Sequence, residues 1–284
     1  YVALLISFDR HEKEPWPLMV FAFAWGAVPA VLLALFAEIS IQPSLASRVA
    51  PENVALAFAA VAAPIIEELT KAVPLIAIFW YFRHEFDGLL DGLLYGSLAG
   101  FGFAMTEDVF YFVRSFSEDL GFGWQVVFLR SLVFGINHAL YCSCLGLGLA
   151  AVRYTRNRTL RILAPTLGLA AGIGLHMFHN YSVMTSSSWM PALLSNWTGA
   201  LVWLLLVAVA LRQEASLLRK ELREEAEAGR ITQGDIVIVT RNRTRVLTKL
   251  AALKRVSAER LNHYYSLVAE LAFKKRQARI HPAD

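Results

Sequence analysis

Long apolar stretches alternate with short polar gaps along most of the chain. A helix needs about 20 apolar residues to cross the hydrocarbon core of a bilayer, and most of the apolar stretches reach that length. The gaps, such as "DRHEKEP", "RHEFD" and "RYTRNRTLR", are short and charged. This pattern predicts a bundle of membrane-spanning helices. The predicted spans cover residues 1–8 (a remnant of a span), 18–37, 54–82, 89–113, 122–152, 162–184 and 191–211.

The pattern changes after residue 211, where charged residues become frequent. The segment "RQEASLLRKELREEAEAG" has apolar residues at helical spacing, and Gly229 is a plausible helix stop. Thr232 with Asp235 three residues later forms an imperfect capping box, the signature of a new helix start. The segment "IVIVT" fits either a helix or a short strand, and residues 246–277 are typical of a long amphipathic helix with a basic end.

These elements together predict an all-α protein with two parts. Residues 1–211 form a polytopic transmembrane helix bundle of about seven to eight spans. Residues 212–284 form a small cytosolic helical appendage. We expect a helical hairpin, which docks on a partner, on the bilayer or on itself. Because the chain starts inside an apolar stretch without an initiator methionine, we expect it to begin within the first span of a longer protein.

Composition and charge agree with a membrane protein. Of the 284 residues, 56% are hydrophobic and 18% charged, and the mean hydropathy is +0.47, which excludes an ordinary soluble domain. The basic residues of the short loops collect on one side of the predicted membrane, so that side and the C-terminus should be cytoplasmic. The net charge of +4 therefore indicates membrane topology and contact with the lipid bilayer rather than nucleic acid. Cys142 and Cys144 lie in an apolar run, and we interpret them as buried free thiols.

Ionisable residues inside four consecutive predicted spans stand out from this apolar background. Each costs about 2.5–3.5 kcal/mol on insertion scales, so such residues persist where they face a cavity or one another. At about 1.5 Å per residue, several of them fall at a common depth between the mid-plane and the outer leaflet, where one cavity can hold them. The polar residues of these spans are Glu67, Glu68, Lys71, Asp91, Glu107, Asp108, Asn137, His138, His176, His179 and Asn180.

Local spacing groups some of these residues before any fold is considered. Glu67 and Lys71 are four positions apart on one helix face and can pair, whereas Glu68 points about 100° away. His176 and Asn180 share a face for the same reason. We interpret Asp91, near the inner end of its span, as a helix cap rather than a catalytic group.

Two carboxylates with two imidazoles suit amide hydrolysis without a covalent nucleophile. A carboxylate deprotonates water, and histidine or asparagine stabilises the developing oxyanion or donates to the leaving amine. Neither GxSxG nor HExxH is present in the sequence. Zinc remains an alternative, because Glu67, His138 and His176 would form a two-histidine, one-carboxylate set with a position open for water.

Four motifs in order carry a resemblance to a known family. They are "EELTK" with Glu67, "DGLLYGSLAGFGFAMTED" ending at Glu107 and Asp108, "FGINH" with His138, and "HMFHN" with His176. This series resembles the PrsW family of bacterial intramembrane proteases, within the wider CAAX-protease and bacteriocin-processing (CPBP) superfamily. The chain departs from the pattern at Asp108, where family members usually have asparagine.

The resemblance implies site-one cleavage of a single-span anti-sigma factor in the bacterial cytoplasmic membrane. It implies that Glu67 is the base that activates water and that Glu68 is its partner. It further implies that His138 and His176 serve as the acid and the group beside the oxyanion, with Glu107 also in the site. Asn180 and Lys71 would orient the substrate or stabilise the oxyanion. We favour the metal-free glutamate mechanism over zinc and expect no other cofactor.

Two functions from other classes fit some of the same residues. A proton-coupled transporter would use Glu67, Glu107, His138 and His176 as a relay, but it would be expected to show paired discontinuous helices, and the sequence shows no internal repeat. A non-catalytic scaffold would act through the tail, residues 213–284.

Overall fold

The computed structural model describes residues 1–9, 13–185, 190–240 and 258–280. Every regular element in these ranges is helical, and they contain no strand. The predicted all-α class is therefore confirmed, and the segment 236–240 is part of a helix. The α-helices are α1 Val2–Ile6, α2 Trp16–Trp25, α3 Val31–Ala46, α4 Val54–Ala57, α5 Ala63–Tyr81, α6 Leu89–Glu118, α7 Leu120–Phe128, α8 Asn137–Val152, α9 Arg158–Thr185, α10 Met190–Glu227, α11 Gln233–Thr240 and α12 Ala258–Ile280.

Five helical stretches within the described ranges are long and apolar enough to cross a membrane. They support five of the predicted spans, whereas the total of seven to eight remains a prediction. The predicted remnant at residues 1–8 contains only the short helix α1. The stretch 54–82 is almost entirely helical, but the charged residues of α5 set it apart from the other five. The five membrane-spanning candidates are Trp16–Ala46, Leu89–Glu118, Leu120–Val152, Arg158–Thr185 and Met190–Glu227.

Wide, π-helical turns interrupt three of the helical stretches, at Gly26–Ala30, Phe58–Ala62 and Leu129–Val133. Proline explains the first two, because its ring nitrogen cannot donate to the preceding turn. Pro29 lies within the first wide turn, and Pro64 is the second residue after the end of the second. Such turns often occur at functional sites, and here two of them adjoin the helices that carry Glu67 and His138.

The predicted span 122–152 is interrupted, which corrects the expectation of one continuous helix. The chain leaves the helix after the wide turn Leu129–Val133 and starts α8 at Asn137. Gly135 occupies the break, where a Cβ atom would overlap the carbonyl group of Ser131. The break places His138 in the first turn of α8, inside the helix bundle.

Helix α6 is the centre of the membrane unit, which comprises residues 1–5 and 15–206. All of its residues from 90 to 104 are buried, as expected for a helix that is surrounded by other helices. It packs on α8 through glycines on both sides: Gly92 and Gly146 meet backbone to backbone, and Gly100 lies against the carbonyl group of His138. These close approaches, which small residues allow in membrane bundles, bring the polar residues of α6 and α8 together.

The second unit contains residues 6–14 and 207–284. Its apolar core is formed by α10, α11 and α12, with Leu218, Val239 and Phe273 among the buried residues. The predicted stop is confirmed, since α10 ends at Glu227 and Gly229 has a φ angle of 72°. The capping box is also confirmed, because Thr232 Oγ1 accepts the Asp235 N–H group at 3.1 Å and Asp235 Oδ2 accepts the Thr232 N–H group at 2.8 Å.

Two helices of the tail differ in their bounds from those predicted or are described only in part. The predicted span 191–211 and the helix after it are continuous, so residue 211 lies inside α10 rather than at a helix end. Residues 246–257 of the predicted amphipathic helix lie outside the described residues, and α12 accounts for most of the remainder. The assignment of residues 1–211 and 212–284 to a membrane core and a cytosolic tail stays a prediction.

Candidate active site

A completely buried lysine lies between the paired glutamates of α5. Lys71 Nζ is 2.7 Å from Glu68 Oε1 and 3.3 Å from Glu67 Oε2, and its side chain has no exposed surface. The prediction that Glu68 points away from this pair is wrong, because positions three apart on a helix are also neighbours and the long lysine stem reaches both carboxylates. One ammonium group therefore compensates two buried carboxylates in part.

The histidine of α9 contacts the same pair of glutamates. His176 Nδ1 is 3.0 Å from Glu68 Oε1, and His176 Nε2 is 3.9 Å from Glu67 Oε2. The ring of Tyr141 stacks on the imidazole, with 4.9 Å between the ring centroids. Glu68 and Tyr141 together fix the orientation of this ring, which turns Nε2 towards Glu67.

The histidine of α8 joins the α5 cluster to the glutamate of α6. His138 Nε2 is 2.9 Å from Glu107 Oε2, and its other ring nitrogen, Nδ1, is 3.1 Å from Lys71 Nζ. Because both nitrogens have a polar partner, the ring has a defined orientation. The centroids of the His138 and His176 rings are 5.0 Å apart.

The structure therefore brings together six side chains that the sequence places on four helices. Glu67, His138 and His176 each offer a ligand atom, and these atoms all lie within 4.8 Å of one another. Such a cluster of ionisable side chains inside an apolar bundle places a carboxylate beside two imidazoles. The catalytic roles assigned to these residues stay predictions, but their convergence is a structural fact. The six residues are Glu67, Glu68, Lys71, Glu107, His138 and His176.

Asn180 takes a position different from the other predicted residues. Its side-chain nitrogen donates to the carbonyl oxygen of Ala59 at 2.8 Å. In the wide turn that contains Ala59, carbonyl groups bond five residues ahead, as Phe58 does with Ala63, and the corresponding partner of Ala59 would be Pro64, which has no N–H group. Asn180 thus satisfies a carbonyl group that proline leaves without its donor, and it ties α9 to the turn that precedes Glu67.

Sequence reasoning missed Arg130, which lies in the wide turn between α7 and α8. Arg130 Nη2 is 2.6 Å from Glu107 Oε2, and Arg130 Nε is 2.5 Å from Asp108 Oδ1. Its guanidinium group lies over the ring of Tyr111, 3.8 Å from the ring centroid. An arginine inside a predicted span is as costly as the other ionisable residues, so the same rule that selected them would have selected Arg130.

The remaining polar residues have structural partners. His179 Nδ1 is 3.2 Å from the side-chain nitrogen of Asn137, and its ring packs against Phe134 rather than joining the six. Asp91 Oδ2 accepts the N–H group of Gly88 at 2.5 Å, as expected for a residue that caps the start of α6. The Cys142 thiol is buried and donates to Glu68 Oε2 at 3.5 Å.

The donor set of Glu67, His138 and His176 fits a zinc ion in composition. Each imidazole also has a carboxylate on a ring nitrogen, Glu68 for His176 and Glu107 for His138, and such carboxylate–histidine pairs commonly orient metal ligands. The position of Lys71 argues against a cation, since its ammonium group already contacts both Glu67 and His138. The same three residues can therefore either bind a metal or surround a water molecule that the lysine helps to hold.

Ionisable groups buried together among long apolar helices are typical of a membrane protein with functional residues within its spans. Carboxylates beside imidazoles, without a nucleophilic serine among them, are suited to hydrolysis by activated water. The family model described as "PrsW family intramembrane metalloprotease" matches residues 14–211. The chain belongs to this family of intramembrane proteases.

Individual relatives agree with the family model. The chain is 26% identical over 188 residues to Protease PrsW of Clostridioides difficile, which covers 66% of this chain and 76% of that protein. It is 26% identical over 192 residues to Protease PrsW of Bacillus subtilis, with 66% and 81% covered. It is 30% identical over 196 residues to Protease PrsW of Oceanobacillus iheyensis, with 66% and 80% covered. No solved structure matches the chain.

Proposed function

We propose that the protein hydrolyses a peptide bond of a membrane-anchored protein and that the Glu67 carboxylate activates the water. The observation that carries this proposal is the convergence of Glu67, His138 and His176, whose ligand atoms lie within 4.8 Å of one another inside the bundle. A water molecule between these groups has a carboxylate as base and two imidazoles beside the position of the reacting carbonyl group.

The reaction consumes one water molecule and forms one carboxylic acid and one amine. Glu67 takes a proton from water while the water oxygen bonds to the carbonyl carbon. His138 and His176 serve as the donor to the leaving nitrogen and the group beside the developing oxyanion. The C–N bond then breaks, and the proton removed from water ends on the amine.

Glu68 and Lys71 support this chemistry through their contacts with the reacting side chains. Glu68 orients the His176 ring through the 3.0 Å contact, and Lys71 partly compensates the charges of both glutamates. Asn180 uses one N–H group of its amide on Ala59, and the second remains for the substrate or the oxyanion.

Zinc dependence is the second candidate, and the two-histidine, one-carboxylate set favours it. Glu67, His138 and His176 would hold the ion, which would acidify a bound water and polarise the carbonyl group. In that case Glu68 and Glu107 would keep the two imidazoles oriented through their other nitrogens. We favour the metal-free reaction because Lys71 shares two of the three donors.

The substrate class follows from the place of the site in the fold. A site inside a helix bundle meets proteins that enter the bilayer, so we propose a single-span membrane protein, such as an anti-sigma factor, as the substrate. The motifs also support membership of the wider CPBP superfamily. We place the protein in the bacterial cytoplasmic membrane, with several spans and its C-terminus in the cytoplasm.

A reconstituted cleavage assay tests the proposal. Wild type and Glu67→Gln are each mixed in liposomes with candidate single-span substrates, and the products are separated and sequenced. Glu67→Gln keeps the shape of the side chain but removes the base, so we expect cleavage to disappear. Glu118→Gln is the matched control, because this glutamate lies at the end of α6 with 53% of its side chain exposed. Equal cleavage by wild type and Glu67→Gln would refute the proposal.

Metal content separates the two candidate mechanisms. Purified wild type and His138→Ala are analysed for bound zinc and for heat stability with and without added zinc. The metal-free mechanism predicts substoichiometric zinc in both proteins and activity that survives a chelator. Stoichiometric zinc in wild type that His138→Ala loses would establish the zinc-dependent mechanism instead.

A further inference from the structure

Arg130 makes contacts that the reaction described so far does not use. Its guanidinium group engages two consecutive carboxylates of α6, Glu107 at 2.6 Å and Asp108 at 2.5 Å. The planar fork of arginine suits two carboxylate oxygens, and such charge-assisted hydrogen bonds are strong and directional. The face of the group is covered by Tyr111, whose ring centroid is 3.8 Å away, in a cation–π arrangement.

The oxygen atom that Arg130 holds is the atom that orients the catalytic imidazole. Glu107 Oε2 accepts from Arg130 Nη2 and lies 2.9 Å from His138 Nε2. The guanidinium group therefore reaches His138 through a single shared atom. Since Lys71 contacts the other ring nitrogen, the imidazole lies between two fixed partners, and only the Glu107 side depends on Arg130.

The backbone around Arg130 also favours a positioning role. Arg130 lies in the wide turn Leu129–Val133, and His138 lies just beyond the break that follows this turn. The two residues thus approach Glu107 from opposite sides of an interruption in one span.

Asp108 completes the arrangement. Without Asp108, the guanidinium group would be free to pair with Glu107 through either edge of the fork. With Nε committed to Asp108 Oδ1, Nη2 is left for Glu107. The charge of Asp108 is thus compensated by the guanidinium group that it fixes.

We propose that Arg130 is a positioning residue, which with Asp108 fixes Glu107 and thereby holds the His138 ring in its reactive orientation. This inference rests on the proposed peptidase function. It predicts an effect on turnover rather than on substrate binding, because neither Arg130 nor Asp108 is required to touch the substrate.

The experiment measures kcat and KM for cleavage of a single-span substrate in liposomes. Loss of a group that orients a catalytic residue typically lowers activity by about 10- to 100-fold, so we expect Arg130→Gln to lose about that much kcat with KM nearly unchanged. Arg130→Lys should recover part of the loss, since lysine can pair with Glu107 but lacks the fork. Arg114→Gln is the matched control, because this arginine also pairs with a glutamate of α6 but is 81% exposed.

A double substitution distinguishes positioning from a general role in folding. If Arg130 acts through Glu107, Arg130→Gln should cost no further activity in a Glu107→Gln background. A purely structural role predicts that the two losses add and that heat stability falls in parallel. Arg130→Lys serves the same comparison if Arg130→Gln does not fold.

The outcomes separate this inference from the function on which it rests. If Glu67→Gln is inactive while Arg130→Gln keeps its kcat, or loses it additively with Glu107→Gln, the positioning role is wrong and the peptidase remains. If Glu67→Gln cleaves like wild type, the peptidase proposal itself fails.

Discussion

The protein contains two clusters with the same composition and very different surroundings. In α5 one lysine bridges two consecutive glutamates, with Lys71 Nζ at 3.3 Å from Glu67 and 2.7 Å from Glu68. In the tail Lys275 Nζ lies 3.0 Å from Glu224 and 2.7 Å from Glu225. The contact distances are almost equal, so distance alone does not separate a catalytic cluster from a structural one.

Burial separates the two clusters. The Lys71 side chain has no exposed surface, whereas 20% of Lys275, 61% of Glu224 and 11% of Glu225 are exposed. Water screens the tail cluster, and surface pairs contribute little to stability. In the membrane unit each charge has lost most of its hydration, so the cluster is costly to form and still more costly to break. Among the residues that the structure describes, imidazoles approach the buried cluster and not the tail cluster, which makes the buried one a candidate for chemistry.

Removal of the lysine should give the largest difference in stability between the two clusters. Lys71→Met leaves two buried carboxylates without their cation, and breaking a buried pair costs about 3–5 kcal/mol. Lys275→Met removes a screened contact and should change stability only marginally. Unfolding of the purified proteins in detergent, followed by circular dichroism, measures both. Similar losses in the free energy of unfolding for the two variants would show that burial does not decide how much these ion pairs contribute to stability.

A triple variant sharpens this result. Lys71→Met combined with Glu67→Gln and Glu68→Gln removes every charge of the cluster, so it should recover much of the stability that Lys71→Met loses. It should remain inactive, because the base is gone. A triple variant as unstable as Lys71→Met would mean that packing around the lysine stem, and not charge, explains the loss.

The next largest effect on stability should come from the glycines through which α6 packs closely on α8, because this packing buries the α5 cluster. A Cβ atom on Gly100 would overlap the carbonyl group of His138, whereas a Cβ atom on Gly174 would meet nothing within 4 Å. Gly100→Ala should destabilise the protein by about 1–3 kcal/mol, as overpacking does. It should also reduce cleavage by up to about 100-fold, because a displacement of about 1 Å can cost that much.

Gly174→Ala on α9 is the control for that substitution, and it should leave both stability and cleavage nearly unchanged. Unfolding midpoints and cleavage rates of the two variants in the same liposomes provide the comparison. If both variants behave alike, the close contact between α6 and α8 does not position His138.

The sequence predicted the residues of the site better than it predicted their contacts. Glu67, Glu107, His138 and His176 were selected because ionisable residues at membrane depth need polar partners, and that physical rule does not depend on the fold. The i,i+3 spacing of Glu68 and Lys71 allows their pairing within α5, but the contact of Glu68 with His176 could not be predicted, since it depends on how α9 packs on α5.

The wide turn that contains Arg130 and the break before α8 were not predicted from the sequence. The apolar run through residues 122–152 is typical of one span, and neither Gly135 nor Arg130 alone indicates a wide turn in it. Arg130 in this turn pairs with Glu107 and Asp108 of α6, and these contacts are tertiary. Conversely, the capping box at Thr232 and the stop at Gly229 were predicted correctly because both depend on a few neighbouring residues.

The smallest effect should come from acidifying the tail cluster. Glu225 lies in the charged part of α10, beyond the apolar stretch 191–211. Hydrogen bonds from Arg230 and Lys275 lower its pKa to about 2 in the folded protein, whereas a glutamate without such partners titrates near 4.5. Because the folded pKa is the lower one, Glu225 stabilises the folded tail above about pH 4.5, and this contribution is lost as the pH falls towards 2. Amide hydrogen exchange in α12 of the full-length protein, corrected for the intrinsic rate, should therefore show weaker protection at pH 2.5 than at pH 6.

Glu225→Gln is the control, since it cannot titrate and should lose part of this pH dependence. Equal pH dependence in wild type and Glu225→Gln would show that the ionised Glu225 of the tail cluster does not contribute to the stability of the folded tail.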